Sequence, residues 1–239
     1  MMIRFFTTQT NIKGKAIKLS RDDSEHIRSL RLRPDEFFVV CDECGSDYIC
    51  KLDSDSHGVA RIYERQQSCG EASVKCTVYM AYSKGDRLDY AVQKSVELGV
   101  YEIVLFESKR CVAVPNNIPK KIERLQRISL ETAKQAGRGI VPVVSDGGRF
   151  KDILEQNNDT ILFYEDEDNL HLKTILEELS ADVQSISIIT GPEGGFEPSE
   201  IEQAKTKGIP VVSLGTRILR SETAPVVALT AIMYHSGNL

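Results

Sequence analysis

Between residues 5 and 63 the apolar positions fall in short runs separated by turn signals: AIKL (16–19), EFFVVCD (36–42), DYICKL (47–52) and GVARIY (58–63). Runs of this length between polar and glycine-containing stretches predict β-strands, and their spacing predicts a small barrel or sandwich. The polar stretch RQQSCGEAS (65–73) reads as a linker. Beyond it the rhythm changes. VKCTVYMAY (74–82), EIVLFES (102–108), TILFYED (160–166), SISIITG (185–191) and VVSLG (211–215) are strand candidates, and helical stretches alternate with them. DRLDYAVQKSVELG places Leu88, Ala91, Val92 and Val96 on one face, with Asp86 at the N-cap and Gly99 as the stop. PKKIERLQRISLETAKQAG opens on Pro119, repeats Ile122, Leu125, Ile128 and Ala133 with helical period, and ends at Gly137. Such alternation predicts a parallel sheet flanked by helices, with ligands at the carboxyl ends of the strands. The pattern divides the chain into a β-rich domain over 1–68 and an α/β domain over 74–239. The closing segment TAPVVALTAIMY is apolar nearly all round, so its helix must be covered on every side by its own domain or by a second subunit.

With 239 residues, 41% of them hydrophobic, the chain can bury a sizeable core. No apolar run approaches a membrane span, and the start MMIRFFTTQT lacks the apolar core and cleavage site of a secretion signal, so a cytoplasmic location is expected. The six cysteines are too scattered for a disulfide scaffold in a chain of this size and predict reduced thiols. Cys41 and Cys44 form a CxxC without the second pair of a zinc ribbon, and the four histidines show no metal spacing; no metal is expected. The net charge of −5 conceals segregation. Residues 1–34 hold eight Lys/Arg against three acids, residues 109–149 hold nine against three, and residues 152–182 hold ten acids with only Lys173. Concentrated basic residues on an acidic protein suit a polyanion, although ordinary solvated helix faces give the same pattern.

The candidate chemistry lies in two stretches near the carboxyl end. GPEGGF (191–196) has neither the lysine of a P-loop nor the GxGxxG of a dinucleotide fold. Glu193 inside it would repel a pyrophosphate, whereas the amides of a tight glycine turn can grip an adenine or a carboxylate. S-adenosylmethionine, with a sulfonium, a purine and an amino-acid end but no phosphate, fits that description. The simpler alternative is that Gly194 and Gly195 only make the turn before the helix at Pro198. LGTRILRSETA (214–224) puts Arg217, Arg220 and Glu222 directly after a strand, ahead of Pro225 in the first turn of the last helix, and two arginines beside a glycine-made pocket read as a substrate clamp.

Together with KGDRLDYAVQKSVELGV (84–100), ETAKQAGRGIVPVV (131–144) and HIRSLRLRPDE (26–36), these stretches make the chain resemble the SPOUT-class RNA methyltransferases, and within them the ribosomal RNA small subunit methyltransferase E family, whose members methylate N3 of a uridine in 16S rRNA. The resemblance spans nearly the whole chain. It departs from the family pattern at Ser29-Leu30-Arg31 and Asp35-Glu36, where that family has VLR followed by a glycine. It implies an α/β fold with a PUA-like β-barrel first, then a SPOUT domain whose C-terminal part, about 185–235, forms a deep trefoil knot. It also implies a homodimer, for which Val226, Leu229, Ile232 and Met233 of the last helix are the expected contact. The cofactor would be S-adenosyl-L-methionine, held by Glu165, Thr190, Gly191, Glu193, Gly194, Gly195, Leu214, Gly215, Ile218, Leu219, Arg220 and Thr223.

Methylation at N3 needs an imide proton removed and the resulting anion stabilised on O2 and O4. Arg220 or Arg138 can stabilise that charge, and Glu222 or Glu97 can act as the base, although either glutamate can instead merely orient an arginine. N3 lies on the Watson–Crick edge, so the target must be unpaired. Arg4, Arg28, Arg31 and Arg33 on the barrel, with Arg110, Lys134 and Arg138 near the catalytic pocket, are the expected RNA contacts of a partner that is 16S rRNA or the small ribosomal subunit. The rival readings are methylation at another RNA site or atom, a non-enzymatic RNA-binding assembly factor, and a nucleotide-dependent α/β enzyme, which lacks its phosphate signatures here.

Overall fold

The computed structural model describes residues 2–53, 58–155, 159–178 and 183–239. It divides into two compact units, one made of the residues up to Glu71 together with Ala133–Val141, the other of Ala72–Thr132 and Pro142–Leu239.

The first unit contains β1 (Arg4–Phe6), β2 (Ile12–Lys13), β3 (Ala16–Lys18), α1 (Arg21–Ser29), β4 (Phe38–Cys41), β5 (Ser46–Leu52) and β6 (Val59–Gln67). Each of the four apolar runs read from the sequence supplies one of these strands. They form a mixed sheet in the order β1-β4-β5-β6-β3-β2, parallel only between β1 and β4. Alternation sends Ile17, Phe38, Val40, Cys50 and Ala60 to one face, where they bury Phe5 and Ile27 of α1, and Phe5 meets Phe38 edge-on at 5.7 Å. Ser20 starts α1: its Oγ accepts the Asp23 amide at 3.0 Å, a cap worth about 1 kcal/mol. Residues 133–141 are held here by a buried arginine. Arg138 donates to Glu71 through Nε (2.9 Å) and Nη2 (2.7 Å), and Glu71 also accepts the Gly139 amide at 2.7 Å.

The second unit contains β7 (Lys75–Ala81), α2 (Arg87–Glu97), β8 (Glu102–Glu107), α3 (Ile118–Ala136, whose residues from Ala133 on belong to the first unit), β9 (Val143–Arg149), α4 (Phe150–Ile153), β10 (Thr160–Phe163), α5 (Leu172–Glu178), β11 (Ser185–Thr190), α6 (Pro198–Thr206), β12 (Val211–Val212) and α7 (Ala224–His235). All strand pairs are parallel, in the order β12-β10-β11-β7-β8-β9. Central β11 reads SISIIT because both of its faces are covered. Asp86 does occupy the N-cap position of α2, yet its side chain makes no capping bond. Gly99 and Gly137 follow α2 and α3 with φ of 95° and 73°, as helix stops require. The chain leaves β10 for β11 on one side and comes back to β12 on the other, so the carboxyl ends of these three strands meet at a switch in strand order.

The covering of α7 corrects one expectation. Leu229, Ile232 and Met233 are fully buried within the unit, where α7 packs on α2, β7 and β11. They are not open to a second subunit. Val226 is half-buried, and Val227 and Tyr234 face outward, Tyr234 being 74% exposed.

Candidate active site

The segments that follow β10, β11 and β12 enclose a cavity of about 720 Å³, a volume suited to a small-molecule ligand. The loop after β11, Gly191–Phe196, is held tightly. Phe196 is fully buried and packs on Phe150 at 5.3 Å and parallel to Phe106 at 6.5 Å, which fixes one end of the loop in the core. Gly195 has φ +67°, which favours glycine, and a Cβ there would displace the end of the exposed Glu165 side chain. Gly191 admits a Cβ only at 3.0 Å from the Phe196 ring.

Glu193 is held by its own contacts. Its Oε1 accepts the Lys84 amide at 2.7 Å and Nη1 of Arg87 at 2.6 Å. Burial works to raise its pKa, but the hydrogen bonds from the Lys84 amide, its own amide and Arg87 outweigh it and hold the carboxyl below its ordinary value. Its Oε2 is buried and accepts nothing among the described residues. Arg87 also places Nε 3.7 Å from Oε2 of Glu222, so one guanidinium stands between two carboxylates of the cavity wall.

The loop after β12 is anchored at its two ends, at Ser213–Gly215 and where the Arg220 carbonyl accepts the Thr223 and Ala224 amides at 2.8 and 3.0 Å. The Ser213 amide donates to the Leu170 carbonyl at 2.8 Å, tying this loop to the one after β10, and Ser213 Oγ accepts the Gly215 amide at 3.2 Å. Between the two anchors, past Gly215 (φ +105°), the chain is open. Arg217, Ile218 and Arg220 are exposed, Ile218 by 83%, and neither guanidinium has a hydrogen-bond or ion-pair partner among the described residues.

Of the residues expected to hold the cofactor, Glu165, Thr190, Gly191, Glu193, Gly195, Leu214, Gly215, Ile218, Leu219 and Arg220 line this cavity. Gly194 and Thr223 do not; Gly194 is exposed beside the Arg110 backbone. Of the four catalytic candidates, Arg220 and Glu222 line it. Arg138 does not, being buried against Glu71, nor does Glu97, whose carboxylate takes Lys94 Nζ at 2.8 Å along α2. Asp168, His171 and above all Arg87 line the cavity without having been singled out in the sequence. The signal for Arg87 lies in KGDRLDYAVQKSVELGV, where it is the first residue of α2, beside Asp86 at the N-cap.

Most of the basic residues expected to meet RNA already have acidic partners. Arg4 grips Asp47 through two 2.7 Å bonds, Lys134 lies 3.4 Å from Asp23, Arg33 bonds Glu36 at 3.0 Å, and Arg110 bonds Glu197 at 2.7 Å. Arg28 and Arg31 are exposed and have no acidic partner among the described residues; Arg31 takes a left-handed φ of 53° at the end of α1. In the CxxC, Cys41 is buried and donates its thiol hydrogen to the Gly139 carbonyl at 3.0 Å, its pKa pushed up to about 12, chiefly by burial.

Comparison with known proteins agrees with this geometry. The family model for an RNA methyltransferase domain matches residues 70–233. A ribosomal RNA small subunit methyltransferase E of Mesomycoplasma hyopneumoniae (strain 232) is 32% identical over 96% of this chain and 98% of its own, and the protein of that name from Bacillus subtilis (strain 168) is 29% identical over 100% and 98%. The crystal structure of a ribosomal RNA small subunit methyltransferase E from Neisseria gonorrhoeae bound to S-adenosyl methionine superposes with a TM-score of 0.87 at 30% identity, covering 98% of each chain. The motifs read from the sequence, the loops that enclose the cavity and these similarities over the whole length agree that the chain belongs to the ribosomal RNA small subunit methyltransferase E family.

Proposed function

We propose that the chain transfers a methyl group from S-adenosyl-L-methionine to N3 of a uridine in the 16S rRNA of the small ribosomal subunit. The observation that carries this reading is the wall of the cavity: a glycine turn built around Glu193, lined by four carboxylates (Glu165, Asp168, Glu193 and Glu222) against three arginines (Arg87, Arg217 and Arg220). That excess of carboxylates suits a ligand that carries positive charge. Glu165, Glu193 and Gly195 would hold the cofactor, with Leu214–Leu219 closing over it. S-adenosylmethionine bound there supplies an activated methyl group.

The chain's own residues then have separable tasks. Much of the rate comes from placement. Arg87 orients Glu193 and Glu222 from between them. Glu222, in the cavity wall 3.7 Å from Arg87 Nε, takes the N3 proton. Arg220, with no carboxylate to satisfy it, donates to the oxygen on which the uracil anion's charge collects. Arg28 and Arg31 meet the phosphate backbone of an unpaired target. The same reading includes a PUA-like barrel for the first unit and a trefoil knot at about 185–235, supported by the position of β12 across β10 from β11. It includes a homodimer that uses the outward residues of α7, Val227 and Tyr234, and a cytoplasmic site of action.

Calorimetry tests the cofactor: S-adenosylmethionine binds and ATP does not, and the opposite result ends the proposal. Mass-spectrometric mapping of 16S rRNA from cells lacking the protein tests the target, with loss of one N3-methyluridine expected. Loss of a different methylated nucleotide would move the reaction to another RNA site or atom.

A further inference from the structure

The first unit carries an outward face that its core does not explain. Lys51 of β5 stands opposite Arg61 of β6, Arg61 opposite Ala16 of β3, and Ala16 opposite Lys13 of β2. Residues directly opposite across neighbouring strands project to the same side, and the positions between them, Ile17, Cys50 and Ala60, are the buried ones. Lys13, Lys51 and Arg61 therefore share the outer side. Two aromatic residues join them. Phe37 immediately precedes β4, and Tyr63 is the extra residue of the β5/β6 bulge, which re-aims a side chain there. They are 43% and 57% exposed, and their rings meet edge to face at 5.4 Å. Lys51 Nζ lies 4.2 Å from the Phe37 ring centroid and 5.4 Å from that of Tyr63.

None of these three cations has an ion-pair partner among the described residues, and Glu64, next in β6, pairs with none of them. Lys51 and Arg61 are like charges directly opposite one another, an arrangement that destabilises a sheet until an anion relieves it. Partly exposed aromatic rings next to cations without ion-pair partners among the described residues are what a single-stranded nucleic acid needs, since bases stack on the rings while phosphates meet the Lys and Arg. A peptide would also use the aromatic pair, but it would leave the concentrated positive charge unanswered unless it were strongly acidic.

We propose that Phe37 and Tyr63, with Lys13, Lys51 and Arg61, form a stacking platform for a single-stranded segment of RNA, a surface distinct from the Arg28 and Arg31 contact. The proposal rests on the methyltransferase reading only in taking that RNA to be the methylated one.

The chain contains no tryptophan, so Tyr63→Trp installs a single indole on the platform. Titrating the full-length variant with a uridine-rich single-stranded oligoribonucleotide quenches the indole fluorescence, and a double-stranded RNA of equal length does so much less. Phe37→Leu combined with Tyr63→Ala weakens binding of the single strand, measured by anisotropy, by about tenfold or more for each lost stack. Arg61→Gln lowers the salt slope by about one phosphate contact. S-adenosylmethionine affinity, followed by calorimetry in every variant, stays unchanged. An indole that remains unquenched at saturating RNA, or a double variant that binds RNA as tightly as the wild-type chain, overturns the platform. So does a double variant whose only change is in sedimentation, which would assign the patch to contact between copies. If the wild-type chain binds no S-adenosylmethionine, the methyltransferase reading fails while the RNA titration still decides the platform.

Discussion

Two loops border the same cavity and are built on opposite principles. The loop after β11 is fixed at every point that matters: Phe196 is in the core, Gly195 lies against Glu165, and Glu193 is bound by the Lys84 amide and Arg87. The loop after β12 is fixed at Ser213 and Gly215 and again through the Arg220 carbonyl, and between these points it presents the Arg217, Ile218 and Arg220 side chains to solvent without partners among the described residues. The first has lost its conformational freedom on folding, so a ligand meets a finished surface there and spends little of its binding energy on ordering it. The second still has freedom to lose, and groups that become ordered late can be matched to the reacting substrate rather than to the resting state. On the proposed function, the methyl donor meets a finished surface at the first loop, and the second loop gains its order as it closes over donor and nucleotide.

The comparison is broken most directly at the rigid loop. Gly195→Ala places a Cβ on the Glu165 carboxylate at a residue with positive φ, and the expected outcome is a loss of S-adenosylmethionine affinity of about 100-fold. Gly194→Ala, one residue earlier but facing Arg110 outside the cavity, changes it by less than about threefold. Calorimetry on both variants, with circular dichroism to check folding, separates the two, and equal losses would mean that the loop is not a preformed wall. The open loop should fail differently. Arg220→Ala lowers kcat by about 10²-fold, the range for removing one donor that acts on developing charge, and leaves S-adenosylmethionine affinity within about threefold. If the affinity falls as steeply as kcat, Arg220 belongs to the cofactor's wall and the division between the loops is wrong.

What the sequence disclosed and what it hid follow the same physics. Central strands such as β8, with Ile103–Phe106 buried throughout, were legible because burial on both faces writes an uninterrupted apolar run. β9 was not, since VVSDGGR looks like a turn; it is an edge strand, and Gly147 is there because a Cβ would sit 2.6 Å from Val104 Cγ1. The glycine and arginine loops announced themselves by composition. Arg87 did not, because its role depends on a contact with Glu193, 106 residues away. The basic clusters were legible only as charge for a similar reason: a charge is visible in a sequence but its partner is not, and Arg4 is paired with Asp47. The apolar last helix announced that it must be covered, but only the fold says that α2, β7 and β11 cover most of it.

The smallest effect concerns the clasp that keeps the rigid loop rigid. Glu193 is held below the ordinary glutamate range, with burial opposing the shift and the bonds from Lys84, its own amide and Arg87 overcoming it. A carboxyl whose folded pKa lies below its unfolded value of about 4.3 stabilises the native state in full above that value, and the contribution is lost as the pH falls through the folded pKa. Arg87→Gln removes one source of the depression, so Glu193 should titrate closer to its unfolded value and the variant should show a shallower loss of stability below about pH 5. Near neutral pH the cost should be only about 0.5–1 kcal/mol, because Arg87 is 41% exposed and its ion pair is screened. Urea unfolding followed by circular dichroism at pH 7 and at pH 4 measures both quantities. A variant that loses the same stability at both values would show that Arg87 contributes packing alone. The Glu193 carboxylate would then be held by the Lys84 amide and its own amide, and the rigid loop would owe nothing to the arginine between the two glutamates.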